Sequence, residues 1–190
     1  NYMLIREVSK NRNRVSAYIG NSFLIKILFS VITFIVVFFI MTAGKFPSST
    51  RAVVYLIFAY MILRTLCELL FIVFKTYENM HYEAIIRLLN TIALVIFVFF
   101  AISLNLGIVS VSIAYVAVQL SIFVLTFFVV VKKFTKISFK FDLYLSKEII
   151  KKALPFTLSL IFAGIYFYID SIMLSLIKGD AAVGLYSAAY

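Results

Sequence analysis

This sequence lacks most of the side chains with which soluble enzymes and metalloproteins work. It has one cysteine, one histidine, no tryptophan and two prolines, and charged residues make up only 14% of its 190 positions. A single cysteine cannot form an intrachain disulfide, and one cysteine with one histidine cannot supply a clustered metal site. No nucleophilic triad and no glycine-rich phosphate loop can be assembled. We therefore expect no catalytic residues, no metal ligands and no enzymatic activity.

What the sequence has instead is long uncharged stretches. Residues 88–131 run for 44 positions without a charged side chain. One helix of that length would extend about 66 Å, roughly twice the hydrocarbon thickness of a bilayer. The stretch therefore predicts two membrane spans, and Asn105, Leu106 and Gly107 near its middle predict the turn between them.

Composition supports a membrane protein. Hydrophobic residues make up 64% of the chain and the mean hydropathy is +1.10, which is more apolar surface than a soluble core of this size can hide. The net charge of +10 would suggest nucleic acid in a soluble protein. Most of this charge falls between apolar runs, so we expect the basic segments to lie against the lipid bilayer and no nucleic acid to bind.

The apolar stretches predict an all-α integral membrane protein, a polytopic helical bundle with five complete transmembrane helices and the start of a sixth. The predicted spans are about 22–43, 52–74, 84–104, 108–131 and 153–177, with the next from about 181. Both ends look cut, so the chain is expected to be a fragment of a two-bundle transporter whose other helices lie elsewhere in the same protein.

Short polar segments predict where the helices begin and turn. Residues 44–50 predict a turn whose serine and threonine end caps the second span, and 75–83 predict a polar loop. Asp142 and Ser146 are possible helix caps. Pro155 is expected in the first turn of the fifth span, where its missing N–H costs nothing.

Charge counting predicts the sidedness. Thirteen lysines and arginines fall in or beside the segments 1–21, 75–83 and 132–152, against three in or beside the alternate turns. This bias predicts that the first three segments are cytoplasmic in a multi-pass protein of the cell (plasma or inner) membrane.

Two charges lie inside the second span. Arg64 and Glu68 are one helical turn apart and therefore share a face. They could neutralise each other and join helices, or they could line a water-filled cavity in which Arg64 meets an anionic group. Lys26, Arg87 and Asn90 are further substrate-cavity candidates, although Lys26 and Arg87 could instead snorkel to the headgroups.

Asp170 lies in the outer half of the fifth span with no basic residue one turn away. Its partner could be a helix elsewhere in the protein, a bound cation or a proton. Asp170 is therefore the ion-coupling candidate, with structural hydrogen bonding as the alternative; beyond a possible Na⁺ or H⁺, no cofactor is expected.

Three stretches resemble the polysaccharide-export flippases of the multidrug/oligosaccharidyl-lipid/polysaccharide superfamily. They are 74–87 (FKTYENMHYEAIIR), 6–20 (REVSKNRNRVSAYIG) and, most specifically, 149–190, which is similar to the seventh family helix and the start of the eighth. Many relatives carry a basic residue two positions before the acid of that helix, where this chain has Tyr168.

The resemblance implies a membrane flippase or exporter of a lipid-linked oligosaccharide or polysaccharide precursor, working by alternating access. It would place 1–131 in the first helical bundle, 132–152 in a basic cytoplasmic connector and 153–190 at the start of the second bundle. Two alternatives remain open: a Na⁺- or H⁺-coupled multidrug exporter of the same superfamily, and a non-transporting membrane scaffold.

Overall fold

The computed structural model describes residues 4–5, 8, 15–44, 46–135 and 141–189, and every regular element in these ranges is an α-helix. Because lipid offers no hydrogen bonds to the backbone, helices that satisfy their own N–H and C=O groups are the expected solution for so apolar a chain. The predicted all-α fold is confirmed. The helices are α1 (Val15–Ala43), α2 (Ser48–Thr76), α3 (Met80–Ser103), α4 (Gly107–Lys133), α5 (Leu143–Lys178) and α6 (Asp180–Ala189).

Five of these helices, α1 to α5, are long and apolar enough to cross a membrane. Each matches one of the five predicted spans, with α3 ending one residue short at Ser103, and α6 begins at Asp180, next to the predicted start of a sixth span. The helices extend past the predicted spans, since α1 starts seven residues before Ser22 and α5 starts ten residues before Ala153. The chain is thus a polytopic helical membrane protein.

The turn between α3 and α4 is short. Residues 104–106 join α3 to α4, and Asn105 (φ 51°) and Gly107 (φ 77°) adopt the left-handed backbone that asparagine and glycine tolerate best. The predicted turn at 105–107 is confirmed. The predicted polar loop at 75–83 is wrong in length, because α2 continues to Thr76 and α3 begins at Met80.

The start of α5 corrects two predictions. Asp142 caps the helix as predicted, because its Oδ1 accepts hydrogen bonds from the backbone N–H groups of Tyr144 (2.9 Å) and Leu145 (3.2 Å). Ser146 is not a cap, since its hydroxyl bonds to Asn21 Oδ1 at 3.2 Å. Pro155 does not lie in the first turn, because the helix capped by Asp142 places it twelve residues after the first helical residue.

The predicted serine or threonine cap of α2 is also wrong. Pro47 occupies the cap position, no side chain there hydrogen-bonds to the helix end, and Ser48 already lies inside the first turn. The C=O of Pro47 accepts the first helical hydrogen bond from Arg51 N–H at 3.1 Å. The fixed φ of proline, here −54°, suits the residue that leads into a helix.

Contacts divide the chain into two compact units, residues 1–146 and 147–190. In the first unit, α2 is the central helix: it packs most extensively on α4 and also contacts α1 and α3, while α3 and α4 pack side by side. The buried stretch Leu69, Leu70, Phe71, Ile72, Val73 and Phe74 of α2 forms the middle of this core. The second unit comprises most of α5 together with α6. The assignment of these segments to the two bundles of a transporter stays a prediction.

Candidate functional site

A polar cavity opens among α2, α3 and α4 in the first unit and encloses about 310 Å³. Successive turns of α2 supply one wall, because residues at i, i+4 and i+8 share a helix face. Four of the five predicted cavity residues are brought together here, with three further polar side chains. The polar lining comprises Tyr60, Arg64, Glu68, Arg87, Asn90, Thr91 and Gln119.

Glu68 does not pair with Arg64. Its Oε2 accepts a hydrogen bond from Arg87 Nη2 at 2.8 Å, an ion pair that joins α2 to α3. The interpretation in which Arg64 and Glu68 neutralise each other is therefore wrong. The packing of α3 against α2 brings the Arg87 guanidinium within hydrogen-bonding distance of the Glu68 carboxylate, whereas Arg64 bonds to Tyr60.

Arg87 is held in a network at the base of the cavity. Its Nε donates to Glu83 Oε1 at 3.0 Å, and Lys75 Nζ lies 3.2 Å from the same oxygen. The guanidinium also stacks over the Phe71 ring, 4.8 Å from its centre. Two cations thus balance two carboxylates, and the predicted snorkelling of Arg87 is wrong because the side chain is held between α2 and α3.

Arg64 is left with an uncompensated charge. Its Nη1 donates to the hydroxyl of Tyr60 at 3.4 Å, and no carboxylate in the described part of the chain forms an ion pair with it. Arg64 lies sixteen residues from the start of α2 and twelve from its end, so it is about 24 and 18 Å from the two ends. The cavity therefore carries one net positive charge near the middle of a membrane-spanning helix.

The amides of Asn90 and Gln119 also face this cavity. Asn90 Oδ1 and Gln119 Oε1 are buried and accept no hydrogen bond from the residues that the structure describes. Sequence reasoning proposed Asn90 and missed Gln119. The available signal was that Gln119 is the only glutamine of the chain and lies midway along an uncharged span.

Lys26 is not brought to this cavity. Its Nζ donates to the backbone C=O of Thr65 at 2.8 Å and so ties α1 to α2. The side chain lies in a separate groove between these helices, beside Phe29, Thr33 and Phe58. Lys26 therefore neither snorkels nor joins the other cavity candidates; it satisfies a carbonyl of the central helix.

Asp170 lies in the second unit, on α5. Its Oδ2 accepts a hydrogen bond from the hydroxyl of Tyr186 on α6, and its Oδ1 accepts one from the N–H of Ser171 at 2.8 Å. Tyr186 is thus a partner that sequence reasoning did not name. Its distance of 16 residues from Asp170 in the sequence gives no helical-spacing signal.

The sequence of the chain matches a known protein family. The sequence matches the family described as polysaccharide biosynthesis protein over residues 1–190. No curated protein and no solved structure gives a significant match. Among the residues the structure describes, no group of three or more histidine, cysteine, aspartate or glutamate side chains could hold a metal ion. The chain therefore belongs to the polysaccharide biosynthesis protein family, and it is a multi-pass membrane protein of transporter type.

Proposed function

We propose that this protein moves a lipid-linked oligosaccharide or polysaccharide precursor across the membrane by alternating access. The observation that carries the proposal is the uncompensated Arg64 in a polar cavity of a membrane-spanning bundle. Arg64 lies near the middle of a membrane-spanning helix, and intramembrane charges of this kind usually mark a substrate pathway. The phosphate or pyrophosphate that links a glycan to its lipid is an anion that can pair with this charge.

The physical task of the transporter explains the composition of the cavity. The glycan is polar and needs hydrogen-bonding walls, the phosphate needs positive charge, and the lipid tail stays in the bilayer. Tyr60, Asn90 and Gln119 supply neutral hydrogen-bonding groups, and Arg64 supplies the charge. The Glu68–Arg87 pair is internally balanced, so it leaves the net charge of the cavity at the value set by Arg64.

Reconstitution of the full-length protein tests this function. Proteoliposomes carrying a fluorescent short-chain lipid diphosphate sugar in both leaflets are treated with a membrane-impermeant reagent that destroys the outer label. With an active flippase, essentially all of the label becomes accessible, whereas protein-free vesicles retain about half. Efflux of a cationic dye without movement of the glycolipid would favour the multidrug exporter. Movement of neither would favour the scaffold.

We further propose that Asp170 binds the coupling cation and that Tyr186 competes with it for the carboxylate. Asp170→Asn is expected to abolish the dependence of transport on Na⁺ or on pH. Tyr186→Phe removes a hydrogen-bond donor from the carboxylate, so it is expected to lower the half-saturating Na⁺ concentration. The measurement is initial transport rate against Na⁺ concentration at several pH values. If the pair is only structural, both variants lose thermal stability and keep the wild-type ion dependence.

Thiol labelling tests the proposed sidedness. In a Cys67→Ala background, Met80→Cys and Leu106→Cys introduce thiols at exposed positions at opposite ends of α3. We expect a membrane-impermeant maleimide to label Leu106→Cys in intact cells, and Met80→Cys only after permeabilisation. The reverse pattern would overturn the cytoplasmic assignment of 1–21, 75–83 and 132–152 together.

A further inference from the structure

The amides of Asn90 and Gln119 stand out because buried polar groups are nearly always paired. The large majority of buried side-chain polar atoms in native proteins have a hydrogen-bond partner, and leaving one unpaired costs about 1–3 kcal/mol. Gln119 is only 3% exposed, yet its Oε1 accepts no hydrogen bond from the residues that the structure describes. Asn90 Oδ1 is in the same situation on the facing helix.

A purely structural role does not account for these two side chains. Amides that join transmembrane helices do so by hydrogen bonding across the interface. Asn90 on α3 and Gln119 on α4 come from helices that pack together, but they do not bond to each other in the structure. Both instead line the cavity that Arg64 reaches from α2. Besides the Glu68–Arg87 ion pair, the three helices therefore place Arg64 and two neutral amides around one space.

We propose that Asn90 and Gln119 form a subsite for the sugar residue attached directly to the phosphate that Arg64 binds. This inference rests on the function proposed above and specifies which part of the substrate each group recognises. A carboxamide both donates and accepts hydrogen bonds, which suits hydroxyl or acetamido groups, whereas a guanidinium suits phosphate oxygens. Lipid-linked sugars place these two kinds of group next to each other.

The size of the cavity limits what this subsite holds. At about 310 Å³ the cavity is at the lower end of the range for small-molecule sites, roughly 300–1,000 Å³. That volume suits one sugar and its phosphate and not a whole oligosaccharide. The subsite is therefore expected to select the first sugar and to be indifferent to the length of the glycan.

Binding to two kinds of probe tests the subsite in the full-length protein. One probe is a short-chain prenyl diphosphate without sugar; the others carry one glucose, galactose or N-acetylglucosamine on the same diphosphate. The wild-type protein is expected to bind at least one sugar-bearing probe more tightly than the bare one. Gln119→Met and Asn90→Leu are each expected to reduce that gain about 5- to 10-fold, the effect of one lost hydrogen bond, while leaving affinity for the bare probe unchanged.

Control variants separate the two proposals. Ser112→Ala changes a buried polar residue on α4 that does not line the cavity, and it should leave binding of every probe unchanged. Binding of the bare probe also shows that each variant is folded. The subsite proposal is overturned if no sugar improves wild-type binding, or if Gln119→Met and Asn90→Leu leave the gain intact or weaken all probes equally. If Arg64→Gln leaves binding of the bare probe unchanged, the phosphate role of Arg64 fails separately.

Discussion

Replacing Arg64 by glutamine is expected to reduce transport of the lipid-linked glycan at least tenfold while leaving the protein folded. Among the residues that the structure describes, Arg64 has only the Tyr60 hydroxyl as a side-chain partner, so the substitution orphans no carboxylate there. Hydrogen bonds to charged groups contribute about 1.5–3 kcal/mol, which corresponds to roughly 10- to 150-fold in binding. Because Arg64 is exposed, its replacement is expected to change the free energy of unfolding little.

The measurement pairs the flipping rate in proteoliposomes with thermal unfolding of the same preparation. Arg51→Gln is the matched control, because Arg51 is an exposed arginine in the first turn of the same helix. It should keep the wild-type rate. Arg64→Lys keeps the charge and loses the planar fork, so an intermediate rate is expected. A wild-type rate for Arg64→Gln would remove the central support for an anion site in this cavity.

The helices and one turn could be predicted from the sequence because the lipid solvent leaves few choices. An uncharged run twice the bilayer thickness must fold back, and Asn105 and Gly107 are the residues that tolerate the left-handed backbone at such a turn. Helix starts were harder to place. Asp142 correctly indicated the N-cap of α5. Pro155 wrongly indicated a helix start, because proline favours the first turn of a helix, whereas α5 begins at Leu143.

The cavity could be predicted only in part. Helical spacing placed Arg64 and Glu68 on one face correctly. Helical spacing could not predict that Arg87 forms the ion pair with Glu68, because that pairing depends on how α2 and α3 pack and on the rotamers of the two side chains. The same limit hid Gln119, whose position becomes informative only once α4 is known to close the cavity. The prediction that Lys26 lines this cavity was wrong because its partner is a backbone carbonyl, for which the sequence carries no signal.

Replacing Arg87 is predicted to destabilise the fold, whereas replacing Arg64 is not, although both residues line the same cavity. Arg87→Met leaves Glu68 without its cation and Glu83 with only Lys75. Removing one partner of a fully buried pair costs about 3–5 kcal/mol; with the Arg87 side chain 46% exposed, we expect about 2–3 kcal/mol. For a chain of this size that lowers the unfolding temperature by roughly 5–10 °C.

Thermal unfolding in detergent, combined with a second substitution, checks the cause. Glu68→Gln in the Arg87→Met background removes the orphaned carboxylate, so the double variant is expected to recover part of the lost stability, a coupling that independent sites do not show. Lys152→Met is the control, since its i,i+4 pair with Glu148 lies within one helix and should matter little. If Arg87→Met unfolds at the wild-type temperature and loses transport, Arg87 belongs with Arg64 in contacting substrate. The distinction between Arg87 as a residue that joins the helices and Arg64 as a residue that binds the substrate would then be wrong.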